Sequence, residues 1–63
     1  MSKFEIYQDA SGLGFWRWRL LAGNGKIIAD SGEGYSSKTN CKRAVDRVKE
    51  IAVDAKYSIW NDD

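Results

Sequence analysis

The sequence predicts one α+β domain, in which an antiparallel sheet of short strands carries a single amphipathic helix on one face. Two observations predict this fold class. Hydrophobic and polar residues alternate with a period of two in three stretches of the first half of the chain, which is typical of half-buried strands. The period changes to 3.6 over residues 37–53, which indicates a helix, and returns to two over residues 56–60. The predicted order is therefore β-β-β-α-β.

The first three strands are separated by turn-forming residues. "KFEIY" alternates Phe4 and Ile6 with polar neighbours and ends at the glycine-containing segment "QDASGLG". "FWRWRLL" then resumes the alternation. Asn24-Gly25 after it favours a two-residue hairpin turn, because both central positions of that turn need positive φ. The predicted strands cover residues 3–7, 15–22 and 26–31.

The predicted turn also predicts which residues face each other across the hairpin. With a two-residue loop, Arg19 lies opposite Asp30, and Leu21 lies opposite Ile28. Directly opposed residues share a face of the sheet, so one face of the hairpin is apolar. The residues predicted to form the core from this face are Trp16, Trp18, Leu20, Ala22, Ile27 and Ala29.

An amphipathic helix follows the third strand. Its apolar residues recur every three or four positions, and charged residues fill the rest of its surface. Ser36 or Ser37 is the expected N-cap, because a serine hydroxyl accepts a hydrogen bond from a backbone N–H two or three residues further on. The stripe predicted to face the sheet consists of Cys41, Ala44, Val45, Val48, Ile51 and Ala52.

The small size of the chain predicts that the fold needs a brace. A chain of 63 residues holds one domain and buries only about 60% of the surface that its unfolded form exposes, so a monomer is marginally stable. The single cysteine excludes an internal disulfide, and the absence of histidine removes most zinc ligands. We therefore expect the chain to associate with itself.

The charge and the apolar runs exclude several classes of protein. A net charge of +1 gives little long-range attraction to nucleic acid or to an anionic membrane. The apolar runs are only two or three residues long, far below the roughly 20 residues of a membrane helix. We expect a soluble, cytoplasmic protein without a membrane segment.

Four segments of the chain resemble the YegP family of small bacterial and archaeal domains of unknown function. They are "FEIYQD", "WRWRL", "NGKIIADSGEGYSSK" and "NCKRAV", in the right order and at close spacing. The resemblance implies a β3-αβ unit that occurs twice, as tandem repeats or as two subunits. It also implies one continuous antiparallel sheet with helices on one face and exchanged C-terminal strands. Because this chain holds one copy, the implied form is a homodimer, with no catalytic residues and no cofactor.

The segment "SGEGYSS", which leads into the helix, has two interpretations. Its glycines expose backbone N–H groups, and a helix N-terminus favours an anion, so the segment is a candidate phosphate-binding loop. It does not match the GxxxxGK[ST] pattern, however, and Glu33 adds a negative charge. We favour the interpretation in which the glycines turn the chain and the serines cap the helix. The candidate anion-binding residues are Gly32, Gly34, Ser36, Ser37 and Lys38.

The sheet face away from the helix mixes aromatic and basic residues. Single-stranded nucleic-acid binders use this combination for stacking and for phosphate contacts. Arginines on an open sheet also keep it soluble, and Glu5 and Asp30 lower the charge of this face. We favour this structural interpretation, and nucleic-acid binding stays as the alternative. The candidate binding residues are Phe15, Arg17, Arg19 and Lys26.

No set of residues in the sequence predicts an enzyme. Cys41 lies on the apolar stripe and has no histidine to serve as its base. The carboxylates of Asp46, Glu50 and Asp54 lie among lysines and arginines, which indicates a solvated charge pattern. The sequence therefore predicts a small dimeric interaction module with no catalytic residues and no metal site.

Overall fold

A computed structural model describes residues 1–10 and 12–60 of the chain. Its elements are β1 (Lys3–Gln8), β2 (Trp16–Leu21), β3 (Ile27–Asp30) and α1 (Lys38–Ala52). The three strands form one antiparallel sheet in the order β1-β2-β3. This confirms the predicted α+β class, and the bounds of these four elements differ from the predicted ones by no more than one residue.

β1 and β2 pair regularly along the six residues of each strand. The loop between them is closed by a hydrogen bond that the N–H of Asp9 donates to the carbonyl of Phe15, at 2.6 Å. Gly12 and Gly14 adopt φ angles of 89° and 77°, in the left-handed region that glycine enters without steric cost. The edge of β1 that faces away from β2 has no bulge, and no strand among the described residues pairs with it.

The pairing of β2 with β3 follows the predicted register in its middle. Arg19 lies opposite Asp30, and Leu20 lies opposite Ala29, as predicted. At the turn, the N–H of Gly25 donates to the carbonyl of Ala22 at 2.9 Å. The N–H of Ala22 in turn donates to the carbonyl of the residue after Gly25, at 2.8 Å. The loop therefore has three residues instead of the predicted two.

A bulge in β3 restores the register after this longer loop. Leu21 lies opposite Ile27, and the next pair towards the middle skips Ile28. The predicted pair of Leu21 with Ile28 is therefore wrong, because the longer loop shifts the pairing by one residue and the bulge shifts it back. A bulge of this kind also disturbs the hydrogen-bonding edge of its strand.

The helix begins after the predicted cap and packs on the inner face of the sheet. Ser37 has an extended backbone, and its hydroxyl accepts a hydrogen bond from the N–H of Asn40 at 3.0 Å. The rings of Phe4 and Trp18 meet edge to face with their centroids 5.6 Å apart. The buried residues at the centre of the core are Trp18, Cys41 and Val45.

The helix does not cover β3. Among the described residues, α1 contacts β1 and β2 but not β3, and all four residues of β3 are exposed. The prediction that Ile27 and Ala29 lie in the core is therefore wrong, and Ile27 is 56% exposed. Ala29 lies on the helix side of the sheet and is exposed because a helix of about 10 Å covers only about two strands that are about 4.8 Å apart. Ile27 lies opposite Leu21 and therefore on the outer face, because the longer loop shifts the pairing there by one residue.

The strand predicted over residues 56–60 is not formed within this chain. Residues 55–60 are in no strand, and they are all exposed. A strand needs a neighbour for its backbone N–H and C=O groups, and no strand of the described residues pairs with this segment. Tyr57, Ile59 and Trp60 are 88%, 64% and 83% exposed, so the alternating pattern is present without a partner.

The helix runs in the direction opposite to β1. The ammonium group of Lys38, at the helix start, lies 5.9 Å from the centre of the Trp16 ring, at the start of β2. Near the helix end, Lys49 shares a cavity with Lys3, the first residue of β1. The C-terminal segment, residues 56–60, therefore follows α1 at the end of the sheet where β1 and β3 begin.

Candidate functional site

The two arginines of the outer sheet face are held in ion pairs. The Nε of Arg17 lies 2.6 Å from Oδ2 of Asp9, and the Nε of Arg19 lies 2.8 Å from Oε1 of Glu5. The guanidinium of Arg19 also lies 4.6 Å from the centre of the Tyr7 ring, at a cation–π distance. Arg17 and Arg19 are thus engaged within their own domain.

In each ion pair, the pKa of one member is shifted. The hydrogen bond from Arg19 holds the pKa of the Glu5 carboxyl below its usual value. The hydrogen bond to Asp9 raises the pKa of the Arg17 guanidinium. Each arginine lies against a carboxylate, so the two ion pairs leave little uncompensated positive charge on Arg17 and Arg19.

The other two predicted residues of the outer face lie at opposite ends of β2, which is about 20 Å long. Phe15 directly precedes the strand, and Lys26 lies in the turn after it. Phe15 is 38% exposed and packs against Gly34, where an added Cβ would lie 2.8 Å from the Cβ of Phe15. The four residues therefore form a line along the hairpin instead of a cluster. Their role in nucleic-acid binding stays a prediction.

The loop before the helix is organised by contacts within the chain. The hydroxyl of Ser37 caps α1, and Gly34 leaves room for the phenyl ring beside it. Tyr35 and Trp16 exchange two backbone hydrogen bonds of 2.8 Å each, and the ammonium of Lys38 lies over the Trp16 ring. These contacts support the interpretation in which the loop turns the chain and caps the helix.

The remaining members of the predicted anion-binding loop are on the surface. Gly32 and Ser36 are exposed, and no heavy atom lies within 4 Å of a Cβ built on Gly32. The structure therefore gives Gly32 no packing role of the kind it gives Gly34. Anion binding by this loop stays a prediction.

Ser31 lies beside Trp18 on the core face of the hairpin, where the predicted register places it, but its structural role was not predicted. It is 7% exposed, its N–H donates to the carbonyl of Trp18 at 2.8 Å, and its hydroxyl accepts from the N–H of Trp18 at 3.1 Å. The signal for it is its position, one residue beyond the Arg19–Asp30 pair in the predicted register. The side chain of Ser31 thus extends the pairing of β2 beyond the end of β3.

A cavity of about 490 Å³ opens between β1 and α1. Its size lies within the range of about 300–1,000 Å³ that is usual for ligand pockets. Phe4, Ile6, Leu20 and Val45 line it, and Lys49 is among its polar neighbours. None of the residues that line this cavity carries a carboxylate, imidazole or thiol. Its walls are suited to the packing of apolar side chains and not to acid–base chemistry.

The groups that most often perform chemistry are not assembled in the described part of the chain. Cys41 is fully buried, and this burial raises the pKa of its thiol, which keeps the sulfur protonated. Across residues 1–10 and 12–60, no three His, Cys, Asp or Glu side chains come together in a group suited to a metal ion. No helix in this part of the chain has the length and apolarity required to cross a membrane.

Fold and surfaces define a class of protein: a small α+β domain with one helix on a three-stranded antiparallel sheet. Comparison with known proteins identifies the family. A family model described as a domain of unknown function, DUF1508, matches residues 14–58. The chain belongs to this family, which confirms the predicted resemblance. The family is uncharacterised, and no catalytic function is indicated for it.

Relatives from a bacterium and an archaeon illustrate the family. The chain is 61% identical over 46 residues to a UPF0339 protein of Neisseria meningitidis serogroup B, and the match covers 73% of this chain and 77% of that protein. It is 48% identical over 59 residues to a UPF0339 protein of Methanosarcina acetivorans, which covers 94% of this chain and 97% of that protein. The names of these relatives indicate no activity.

Solved structures of similar proteins share the fold. The solution NMR structure of a protein from Haloferax volcanii is 44% identical, with a TM-score of 0.82, and covers 94% of this chain and 95% of that chain. The solution NMR structure of a protein from Agrobacterium tumefaciens is 33% identical, with a TM-score of 0.72, over 94% and 90% of the two chains. Both similarities support the arrangement of three strands and one helix.

Proposed function

We propose that this protein acts as a homodimeric interaction module and not as an enzyme, and that the C-terminal segment of each copy adds a strand to the sheet of the other. The observation that carries the proposal is the C-terminal segment itself. Residues 56–60 alternate like a strand, yet Tyr57, Ile59 and Trp60 are largely exposed. Burial of a large apolar side chain contributes about 1.5–3 kcal/mol, so Tyr57 and Ile59, which share one face of a strand, favour association.

Two edges of the sheet are candidates for this strand, and we infer that β1 receives it. β1 pairs regularly over six residues, whereas β3 has four residues and carries a bulge at Ile28. Short length and bulges protect an edge from pairing. The helix lies over β1 and β2, so a strand added beside β1 centres a four-stranded sheet beneath α1.

The cavity between β1 and α1 supports the same edge. Phe4 and Ile6 of β1 line it and are only half-buried in the single chain. A strand beside β1 directs alternate side chains towards the inner face of the sheet, where this cavity lies. Tyr57 and Ile59 are two residues apart and share a face, so they supply apolar side chains for the cavity.

Strand direction favours exchange between copies over pairing within one chain. The C-terminal segment leaves α1 at the end of the sheet where β1 begins, so in its own chain it would run parallel to β1. A segment from a second copy, related by a two-fold axis perpendicular to the sheet, runs antiparallel to β1. Antiparallel pairing matches the rest of the sheet, and this axis puts both helices on one side of it.

Single-stranded nucleic-acid binding on the outer sheet face is the second candidate function. The contact of Arg19 with Tyr7 favours it, because an arginine beside an aromatic ring is suited to a nucleic-acid base and its phosphate. The ion pairs of Arg17 and Arg19 weigh against it, since a phosphate would have to replace a carboxylate at each arginine. We therefore rank it second. The cytoplasmic location stays a prediction.

Sedimentation equilibrium tests the proposed dimer. At micromolar concentration, the full chain is expected to have about twice the 7.1 kDa mass of one copy. The double variant Tyr57→Asp/Ile59→Asp is expected to sediment as one copy, because association would bury two unpaired carboxylates.

Ile28→Asp is the matched control for this experiment. Ile28 is 63% exposed on β3, the edge that we do not expect to pair, so this variant should remain a dimer. A wild-type protein that stays monomeric at micromolar concentration would contradict the proposal. A monomeric Ile28→Asp variant beside a dimeric double variant would also contradict the proposal, because it would assign the dimer contact to β3 and not to the C-terminal segment.

A further inference from the structure

Positive charge is distributed unevenly between the sheet and the helix. Residues 1–37 contain four Lys and Arg and four Asp and Glu, so their net charge is zero. The helix α1 contains five Lys and Arg and two acidic residues, so its net charge is +3. The net charge of +1 for the whole chain therefore conceals a basic helix.

The cations of the helix are also less engaged than those of the sheet. Within the described residues, Lys42, Arg43 and Lys49 are exposed, and no carboxylate lies within ion-pair distance of them. Arg47 contacts Glu50 at 3.2 Å, but their side chains are 71% and 69% exposed, so this pair is weak. The arginines of the outer sheet face instead lie 2.6 and 2.8 Å from carboxylates. Uncompensated positive charge therefore lies on the helix side of the sheet.

We propose that the exposed surface of α1 binds the phosphate backbone of double-stranded nucleic acid without reading its sequence. This surface, the basic helix face, consists of Lys42, Arg43, Arg47 and Lys49. The proposal rests on the proposed homodimer, in which two helices lie on one side of a continuous sheet. Their charges then add on a single surface of the dimer.

Three features favour a duplex over other anionic partners. The helix contains no aromatic residue, so the basic helix face lacks the stacking groups of single-stranded nucleic-acid binders. Lys42 and Lys49 are separated by a rise of about 10 Å, which spans about three phosphates of one strand. A two-fold axis relates the two helices, as it relates the strands of a duplex. Asp46 and Glu50 share the helix surface and reduce its affinity.

A titration of labelled duplex DNA of mixed sequence, followed by fluorescence anisotropy, tests the proposal. The full chain is used at salt concentrations between about 50 and 200 mM. With three uncompensated cations from each helix in contact, the log–log salt slope is expected near about −5, which is a loss of affinity of about a thousandfold over this range. The variant Lys42→Gln/Arg43→Gln should reduce the slope to about −2, because it removes two of those three cations from each copy.

Arg17→Gln/Arg19→Gln is the matched control, since it removes the same number of positive charges from the outer sheet face. Its salt slope is expected to equal that of the wild type. Sedimentation of each variant under the titration conditions separates loss of binding from loss of the dimer. A monomer that binds the duplex with a slope of about −3, abolished in the helix variant, would support the basic helix face and contradict only the dimer.

Three results would overturn the proposal. The first is a slope that flattens in the sheet variant and not in the helix variant, which would assign binding to the outer sheet face. The second is tighter binding to single-stranded DNA of the same length than to the duplex. The third is binding to polyglutamate without salt-dependent binding to the duplex, which would indicate an acidic protein partner.

Discussion

Strand β2 and the C-terminal segment carry the same kind of pattern but lie in different environments. Both alternate large apolar side chains with polar ones, and both contain tryptophan. Trp18 of β2, between two strands and beneath the helix, is 9% exposed, whereas Trp60 of the C-terminal segment is 83% exposed. Alternation therefore shows which residues share a face, but burial requires a second surface. For residues 56–60, we propose that a second copy supplies that surface.

The largest effect is expected from a tryptophan-to-alanine substitution in β2, for comparison with the same substitution in the C-terminal segment. Trp18→Ala should lower the free energy of unfolding by about 3–5 kcal/mol, because it leaves a cavity beside Phe4 and Cys41. This loss is comparable to the whole stability of so small a domain, at about 0.05–0.15 kcal/mol per residue. Denaturant unfolding followed by far-UV circular dichroism measures it at any protein concentration.

Trp60→Ala is the matched variant for the C-terminal segment. It is expected to lower the unfolding midpoint at micromolar concentration and to leave it unchanged where the dimer has dissociated. If Trp60→Ala destabilises the protein equally at every concentration, the segment packs within its own chain and the contrast between the two regions disappears.

An intermediate effect is expected at the start of the helix, where Ser37 caps α1. Ser37→Ala should lower the free energy of unfolding by about 1 kcal/mol, because the N–H of Asn40 loses its acceptor. The control is Ser36→Ala, at an exposed neighbour, with an expected change below about 0.5 kcal/mol. Chemical denaturation of both variants measures the difference, and the reverse ranking would assign the cap to Ser36.

The smallest effect concerns the ion pair of Glu5 and Arg19 on the outer face. The folded-state pKa of Glu5 lies below its usual value of 4.5, so this pairing stabilises the fold above that value. The stabilisation is lost as the pH falls through the lowered pKa. The melting temperature of Arg19→Gln should lie about 2 °C below that of the wild type at neutral pH, and the gap should close as the pH falls through the lowered pKa of Glu5.

Arg43→Gln controls for the loss of a positive charge, because Arg43 is exposed and makes no ion pair with the described residues. Its melting temperature should follow that of the wild type as the pH is lowered. A gap between Arg19→Gln and the wild type that does not narrow as the pH is lowered through the acid range would show that Glu5 contributes nothing through this pair.

Much of the fold was predictable because it depends on neighbours within a few residues. Periods of two and 3.6 predicted the three strands and the helix, and serine ahead of an apolar stripe predicted the cap. The middle of the hairpin register, with Arg19 opposite Asp30, was correct although the turn was not. The longer loop and the bulge at Ile28 cancel each other, and no local pattern in the sequence distinguishes this combination from a two-residue turn.

The candidate sites were predictable only as residue types on a face. Alternation placed Arg17 and Arg19 on the outer face, but their pairing with Asp9 and Glu5 depends on loop conformation and side-chain rotamers. The role of Ser31 depends on where β3 ends in three dimensions. These contacts join residues 8 to 14 positions apart, beyond the reach of periodicity.

Local sequence was sufficient for the kind of each element, for the face of Trp18 and for the cap at Ser37, because dihedral preference and periodicity act over a few residues. Which strands the helix covers depends on packing in three dimensions. One helix is wide enough for β1 and β2 but not for β3, so Ala29 is exposed despite its apolar pattern, and the shifted pairing with Leu21 places Ile27 on the outer face. Residues 56–60 are unpaired for a related reason, since a strand requires a neighbouring edge and its own pattern cannot supply one.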